Sequence, residues 1–206
     1  MRQYTSVDRG GNMKKLKTAT WVALAFTIAF VCSIGVCAKD ELKEARQCTF
    51  VIPSEFTLES ESGLFVNRNE PMESSSISYD IYDNGKDIAL TNREKKMNPA
   101  SIEKASIDNT SNLTKSEYEK VISASYKETL GEDVKFNVDS FENVTIDGYP
   151  AYHIESSLSV SGQQTIYQSV YMILSKYKTF TITYQRAEDD QCQELFETSA
   201  ATIHVS

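Results

Sequence analysis

Three segments near the C-terminal end alternate between apolar and polar residues, and only short turns separate them. The segments are 152–160, 166–174 and 180–184, with turn residues such as Gly162 and Lys176 between them. Alternation with a period of two is typical of β-strands that bury one face. Because parallel neighbours need a crossover of a dozen or more residues, these strands must run antiparallel. We therefore expect a mainly antiparallel sheet of at least five strands.

Two segments with a helical period complete the expected fold. The first, 114–130, begins with a capping box of Thr114 and Glu117 and is closed by Gly131. The second, 190–203, has an apolar stripe along one side, so both helices should lie on a surface with one face in water. Further alternation predicts shorter strands at 50–52, 77–81 and 134–138. This order of elements predicts the α+β class: an antiparallel sheet with helices packed on it.

The first 38 residues have the composition of an export signal. A basic stretch that ends at Lys17 precedes 21 residues without a charge, 18–38. Basic residues, an apolar segment and a small-residue exit are the parts of a secretory signal. We expect cleavage between Ala38 and Lys39, so that residues 1–38 are an N-terminal extension and signal peptide absent from the mature protein.

Two alternatives to cleavage remain open. Residues 34–37 (IGVC) resemble a bacterial lipobox, in which Cys37 would take a lipid, although Val36 stands where Gly or Ala is usual. The 21 uncharged residues are also just long enough to span a bilayer as an uncleaved anchor. Every alternative places residues 39–206 outside the cytoplasm, secreted or attached to the outer face of the membrane. Contact with the membrane is expected only through the N-terminal segment.

The exported part of the chain is acidic. The whole chain carries −8, residues 1–38 carry +4, and residues 39–206 therefore carry −12. Such a body has no broad attraction for phosphate backbones, so we expect no nucleic-acid partner. With 40% apolar and 24% charged residues the composition is that of a globular protein. We expect a short charged leader at 39–47 and a single monomeric domain at 48–206.

Several short motifs in the exported part resemble those of small exported PsbP-like domains. The matching segments are 49–56 (TFVIPSEF), 75–79 (SSISY), 113–118 (LTKSEY), 147–152 (DGYPAY), 180–184 (FTITY) and 199–203 (SAATI). They also resemble uncharacterised exported proteins or lipoproteins of clostridial gut bacteria. The resemblance implies an α/β/α sandwich around an antiparallel sheet. It supplies no catalytic residue, because these motifs serve packing and turns.

The sequence contains no recognisable catalytic, metal or cofactor site. The two histidines are His153, on the polar side of its strand, and His204, close to the end of the chain. A metal site or a Ser–His–acid triad needs converging partners, and none is indicated for either histidine.

We therefore expect a non-catalytic domain that binds a protein or other ligand at the cell envelope. The alternative is an envelope hydrolase with an unrecognised carboxylate or Ser site, which a deep pocket around His153 or buried acids would favour.

Two pairs of residues are candidates for a functional or structural role. Tyr167 and Tyr171 share one face of their strand and would form an aromatic partner surface if no helix covers it. Cys48 and Cys192 should both face the core, and outside the cytoplasm such a pair is a candidate disulfide. The alternative for the cysteines is two unpaired buried thiols that act as small apolar residues.

Overall fold

The computed structural model describes residues 42–59, 63–67, 75–83 and 113–206. The predicted signal peptide, its cleavage pair Ala38 and Lys39, and Cys37 lie outside these residues. The described strands are β1 (Cys48–Thr49), β2 (Thr57–Leu58), β3 (Leu64–Val66), β4 (Ser76–Asp83), β5 (Lys135–Ile146), β6 (Tyr149–Ser159), β7 (Ile166–Leu174), β8 (Lys178–Ala187) and β9 (His204–Val205). The described helices are α1 (Lys115–Leu130) and α2 (Gln193–Ala200).

Seven of these strands form one antiparallel sheet. Its strand order is β2-β3-β4-β8-β7-β6-β5, and each neighbouring pair runs antiparallel. The remaining two strands, β1 and β9, pair with each other in a small separate ladder. The expected α+β class is confirmed: an antiparallel sheet carries the two helices.

The helix α1 begins and ends on local signals. The amide of Glu117 donates to Thr114 Oγ1 at 3.3 Å, and the amide of Thr114 donates to Glu117 Oε2 at 3.0 Å. At the other end Gly131 has a φ of 103° and its amide donates to the Lys127 carbonyl at 2.9 Å. The predicted capping box is confirmed. The buried face of α1 consists of Tyr118, Ile122 and Tyr126.

The two helices pack on opposite faces of the sheet. On β7, Val170 and Met172 belong to the apolar cluster that contains the buried face of α1. Ile173, which points the other way, belongs to a second cluster with Phe196 of α2 and Val205 of β9. Successive strand residues face opposite sides of a sheet. The core is therefore double, with one cluster on each face.

The chain is packed against the domain from the start of the described part. The amide of Arg46 donates to the Ser206 carbonyl at 2.7 Å, and the amide of Lys176 donates to the Lys43 carbonyl at 2.9 Å. Ala45 is buried within the second cluster. Residues 42–47, expected to be part of a leader, are therefore held by the domain's own hydrogen bonds and core.

Several predicted boundaries differ in the structure. The strand expected at 50–52 is wrong, because the ladder is confined to Cys48–Thr49; the amide of Val51 donates instead to Thr202 Oγ1 at 2.8 Å. The second helix, expected over 190–203, begins at Gln193 and ends at Ala200. The amide of Thr202 donates to the Ser199 carbonyl three residues back, which is the bond of a tighter turn.

The predicted disulfide is not present in the structure. Cys48 and Cys192 face the core as expected, but both thiols are free. Burial raises the pKa of each to about 11, which keeps both protonated and unreactive. The two thiols have different surroundings: Tyr79 donates to the Cys48 carbonyl, and Ser75 hydrogen-bonds the Cys192 side chain.

Asp80 on β4 is a destabilising group at neutral pH. Burial raises its pKa from 3.8 to about 6, and its Oδ2 atom has no hydrogen-bond partner. Because the folded-state pKa is the higher one, stability falls as the pH rises from about 4 to about 6. We expect Asp80→Asn to raise the free energy of unfolding at pH 7 by about 1–2 kcal/mol, a value reduced because the side chain is only partly buried.

Urea unfolding at pH 7 and at about pH 2.5, well below both pKa values, measures this effect. The gain from Asp80→Asn should disappear at the lower pH, where Asp80 is protonated in both the folded and the unfolded state. The matched control is Asp133→Asn at an exposed position, which should change stability by less than about 0.5 kcal/mol. A loss of stability at pH 7 in Asp80→Asn would contradict the assignment.

Candidate functional site: a groove beside the second helix

A groove of about 240 Å³ lies between α2 and the sheet face formed by β6, β7 and β8. This groove is called the α2 groove below. The sheet contributes His153, Glu155, Tyr167, Ser169, Tyr171, Tyr184 and Arg186, and the helix contributes Gln193, Phe196, Glu197 and Ala200. The groove therefore combines aromatic rings with side chains of both charges.

The strand register brings the sheet residues of the groove together. His153 on β6 pairs with Tyr171 on β7, and Glu155 pairs with Ser169. On the other side of β7, Tyr167 pairs with Arg186 of β8. Paired residues in antiparallel strands hold their side chains on the same face, about 5 Å apart. The groove thus follows from the pairing of three strands that are neighbours in sequence.

Aromatic rings form the floor of the α2 groove. The rings of His153 and Tyr171 are stacked, with centroids 4.4 Å apart and planes 11° apart. Tyr171 meets Tyr184 edge to face at 6.2 Å, and Tyr184 lies 5.2 Å from Phe196 of α2. Contacts between such rings are favourable in these geometries and fix the orientation of Tyr171.

The imidazole of His153 is held by its two polar neighbours. Its Nε2 atom lies 2.8 Å from Glu155 Oε1 and 3.0 Å from Ser169 Oγ. In a catalytic triad the two ring nitrogens have separate roles, one toward the serine and one toward the acid. Here the same nitrogen faces both partners. Ser169 also lies in the middle of β7, between β6 and β8, where ladder bonds occupy the strand amides that could stabilise an oxyanion.

Two carboxylates flank Tyr171. Burial raises the pKa of its phenol, the carboxylates of Glu155 and Glu197 raise it further, and a hydrogen bond with Ser169 acts in the opposite direction. The cation of the groove, Arg186, is already engaged: its guanidinium lies 4.8 Å from the Tyr167 ring centroid. The groove is therefore acidic around Tyr171.

The structure brings together some of the predicted residues and separates others. Tyr167 and Tyr171 share one face as expected, but they are half-buried, because α2 lies beside them. His153, expected on the polar side of its strand, lies partly exposed in the groove. His204 lies elsewhere: its Nδ1 is 2.9 Å from Asp147 Oδ2.

Sequence reasoning missed three charged residues of the groove, Glu155, Arg186 and Glu197. For the two residues on the sheet, the sequence contains a usable signal. Glu155 lies two residues after His153, so both side chains are on the same face of their strand. The register of the hairpin between β7 and β8 places Arg186 beside Tyr167. No local sequence pattern indicates on which face of the sheet α2 packs, so Glu197 could not be placed.

In the described ranges no group of three or more His, Cys, Asp or Glu side chains is arranged to hold a metal ion. None of the described helices has the length and apolar character needed to cross a membrane.

Comparison with known proteins gives structural similarities only. No protein-family model matches the chain, and no curated protein matches it. The chain is similar to the solution structure of cyanobacterial PsbP from Synechocystis sp. PCC 6803. The similarity covers 84% of this chain and 99% of the PsbP chain, with 18% identity and a TM-score of 0.49. The Ran-binding protein Mog1p of Saccharomyces cerevisiae is similar over 76% and 89%, with 12% identity and a TM-score of 0.41. Likeness of this extent does not transfer a function to this chain.

Proposed function

We propose that the exported part of the chain is a non-catalytic domain, a PsbP-like α/β/α sandwich that binds a protein partner at the cell envelope. The observation that carries this proposal is the α2 groove, with its aromatic floor and its two carboxylates around Tyr171. The partner contributes a basic segment whose lysine or arginine side chain enters the groove.

The chemistry of the groove supports a basic side chain as the occupant. The aliphatic part of lysine or arginine packs on the Tyr171 ring, and its charged end reaches Glu155 and Glu197. Cations gain attraction from the face of a tyrosine ring. The same sheet face already holds one such contact, between Arg186 and Tyr167. The charge of −12 on residues 39–206 also attracts a basic partner from a distance.

The size of the groove supports a side chain over a free metabolite. Small-molecule pockets usually enclose about 300–1,000 Å³. The α2 groove encloses about 240 Å³, which is room for one or two side chains of a protein. A protein partner would gain further area from the surrounding surface.

A charge-neutralising pair of substitutions tests the proposal. The probe is a short peptide with a central arginine, compared with the same peptide with glutamine there, titrated into the protein and followed by NMR shifts. We expect Glu155→Gln with Glu197→Gln to weaken binding of the arginine peptide by up to about thirtyfold, since an exposed ion pair contributes up to about 1 kcal/mol and two are lost. The glutamine peptide should bind the two proteins alike.

Glu128→Gln is the matched control, because Glu128 is an exposed residue of α1, on the opposite face of the sheet. It removes one charge without touching the groove and should leave the affinity within about twofold. Equal affinity for the arginine and glutamine peptides would contradict a basic occupant. An equal loss of affinity for the arginine peptide in Glu128→Gln would mean that the effect comes from net charge alone.

An envelope hydrolase that uses Ser169 is the second candidate function. The observation that favours it is the 3.0 Å contact between Ser169 Oγ and His153 Nε2. Hydrolysis of a p-nitrophenyl ester by the intact protein, by Ser169→Ala and by His153→Ala separates the two functions. We expect no difference among the three. A measurable rate that is lost in both variants would replace the binding proposal.

A further inference from the structure

The imidazole of His153 makes the contacts in the α2 groove that a basic side chain of a partner needs. Its ring is stacked on the Tyr171 ring, with centroids 4.4 Å apart and planes 11° apart. Its Nε2 atom lies 2.8 Å from Glu155 Oε1. A guanidinium that packs flat on a tyrosine and reaches a carboxylate makes the same two contacts. His153 is therefore placed as a competitor for the partner's cation within the domain itself.

The strength of this competition depends on the proton of His153. Histidine ordinarily changes its charge between about pH 5 and 8. The neutral ring can offer Glu155 one N–H and no charge, whereas the imidazolium pairs with that carboxylate as an ion. The imidazolium also repels a second cation that enters beside it. Uptake of a proton by His153 therefore withdraws one carboxylate from the partner and adds a repelling charge.

His153 is surrounded by other charged and titratable side chains from each neighbouring element. These are the carboxyls of Glu142, Glu155 and Glu197, the guanidinium of Arg186 and the phenols of Tyr167, Tyr171 and Tyr184. Burial raises the pKa of Tyr171 and of Tyr184, so both phenols stay neutral below pH 8. Glutamate usually titrates at about 4.3 and tyrosine at about 10, and arginine stays protonated. The range from about pH 5.5 to about pH 8 therefore isolates the histidine of the groove.

We propose that His153 makes the α2 groove sensitive to pH: the basic segment binds when the imidazole is neutral and is released as the imidazole takes up a proton. This role of His153 rests on the proposed function of the groove, whose regulation it adds. The sign follows from the charges, because the imidazolium and the partner's cation exclude each other from Glu155. Each therefore weakens the binding of the other by the same factor.

Titration of the arginine peptide at two pH values tests this role. In the unaltered protein we expect the affinity to be about fivefold weaker at about pH 5.5 than at about pH 8, which corresponds to the loss of one exposed ion pair of about 1 kcal/mol. His153→Gln keeps an N–H donor near Glu155 but cannot take up a proton. Its affinity should agree within about twofold at the two pH values.

His204→Gln is the matched control, because this second histidine lies on β9 and contacts Asp147 outside the groove. The variant should keep the fivefold pH dependence. Asp80 also titrates in this range, since burial raises its pKa to about 6. It lies on the face of β4 opposite to that of Tyr79, which packs against the cluster under α2. Any effect of Asp80 would remain in His153→Gln and is thereby separated from that of the imidazole.

NMR of the histidine rings measures the proton uptake directly in the unaltered chain, so this readout does not depend on the folding of a variant. The coupling between two bound species is reciprocal. Saturating arginine peptide should therefore move the proton uptake of His153 to lower pH and leave that of His204 unchanged.

Several outcomes would overturn the role of His153 and leave the function of the groove standing. They are equal affinity at the two pH values, tighter binding at the lower pH, a fivefold pH dependence that persists in His153→Gln, and proton uptake by His153 that the peptide does not move. Absence of binding at both pH values would instead overturn the proposed function, and the regulation with it.

Discussion

Ile77→Ala is expected to lower the free energy of unfolding by about 2–5 kcal/mol, the cost of emptying a closely packed core position. Ile77 is 0% exposed on β4, in the apolar cluster under α2. Its matched control is Ile81→Ala on the same strand and the same face, where the side chain is 52% exposed. That change should cost less than about 0.5 kcal/mol.

The comparison is made by urea unfolding followed by far-UV circular dichroism. It tests how far the apolar cluster under α2 extends along β4, because Ile77 and Ile81 are the same type of residue and differ only in burial. Equal losses in the two variants would contradict the placement of the second cluster. A small loss in Ile77→Ala would mean that this face of β4 is open.

Gly63→Ala is expected to cost about 2–4 kcal/mol, the sum of a left-handed backbone and a steric overlap. Gly63 has a φ of +73°, and a Cβ atom there would lie 2.5 Å from the Tyr79 carbonyl oxygen. That carbonyl cannot easily retreat, because Tyr79 is paired with Ile182 in the sheet and its amide donates to the Gly63 carbonyl at 3.0 Å.

Gly162→Ala separates the two contributions to this loss. Gly162 has a nearly equal φ of +78°, but nothing lies within 4 Å of the Cβ position. Only the conformational cost of about 1 kcal/mol remains for that variant. If chemical unfolding gave the same loss for both glycines, the close approach between Gly63 and Tyr79 would not exist in the protein.

Local signals explain the elements that the sequence predicts well. Thr114 and Glu117 cap α1 through bonds within four residues, and β6, β7 and β8 alternate over short turns. The longer course of β5 was missed beyond Val138, because a register shift between Val138 and Ser140 interrupts the alternation. The pairing of Cys48 with Val205 joins the two ends of the domain, which no local pattern records.

The α2 groove was predicted only in part for the same reason. Strand parity places Tyr167 and Tyr171 on one face, but the neighbours of that face depend on register with β6 and β8. The contact of His153 with Tyr171 is such a neighbour relation. The docking of Phe196 against Tyr184 then decides that the face becomes a groove and not an open surface. Propensity and periodicity contain no information on that docking.

Photo-crosslinking from position 171 tests whether the α2 groove binds a basic segment of a protein partner. The full chain is produced in its host with benzoylphenylalanine in place of Tyr171, or, as the control, in place of Glu128 on α1. After irradiation, the crosslinked peptides are sequenced by mass spectrometry. We expect an adduct from position 171 alone, to a partner peptide with lysine or arginine beside the crosslinked residue. No adduct at 171, or the same adduct from position 128, would contradict it.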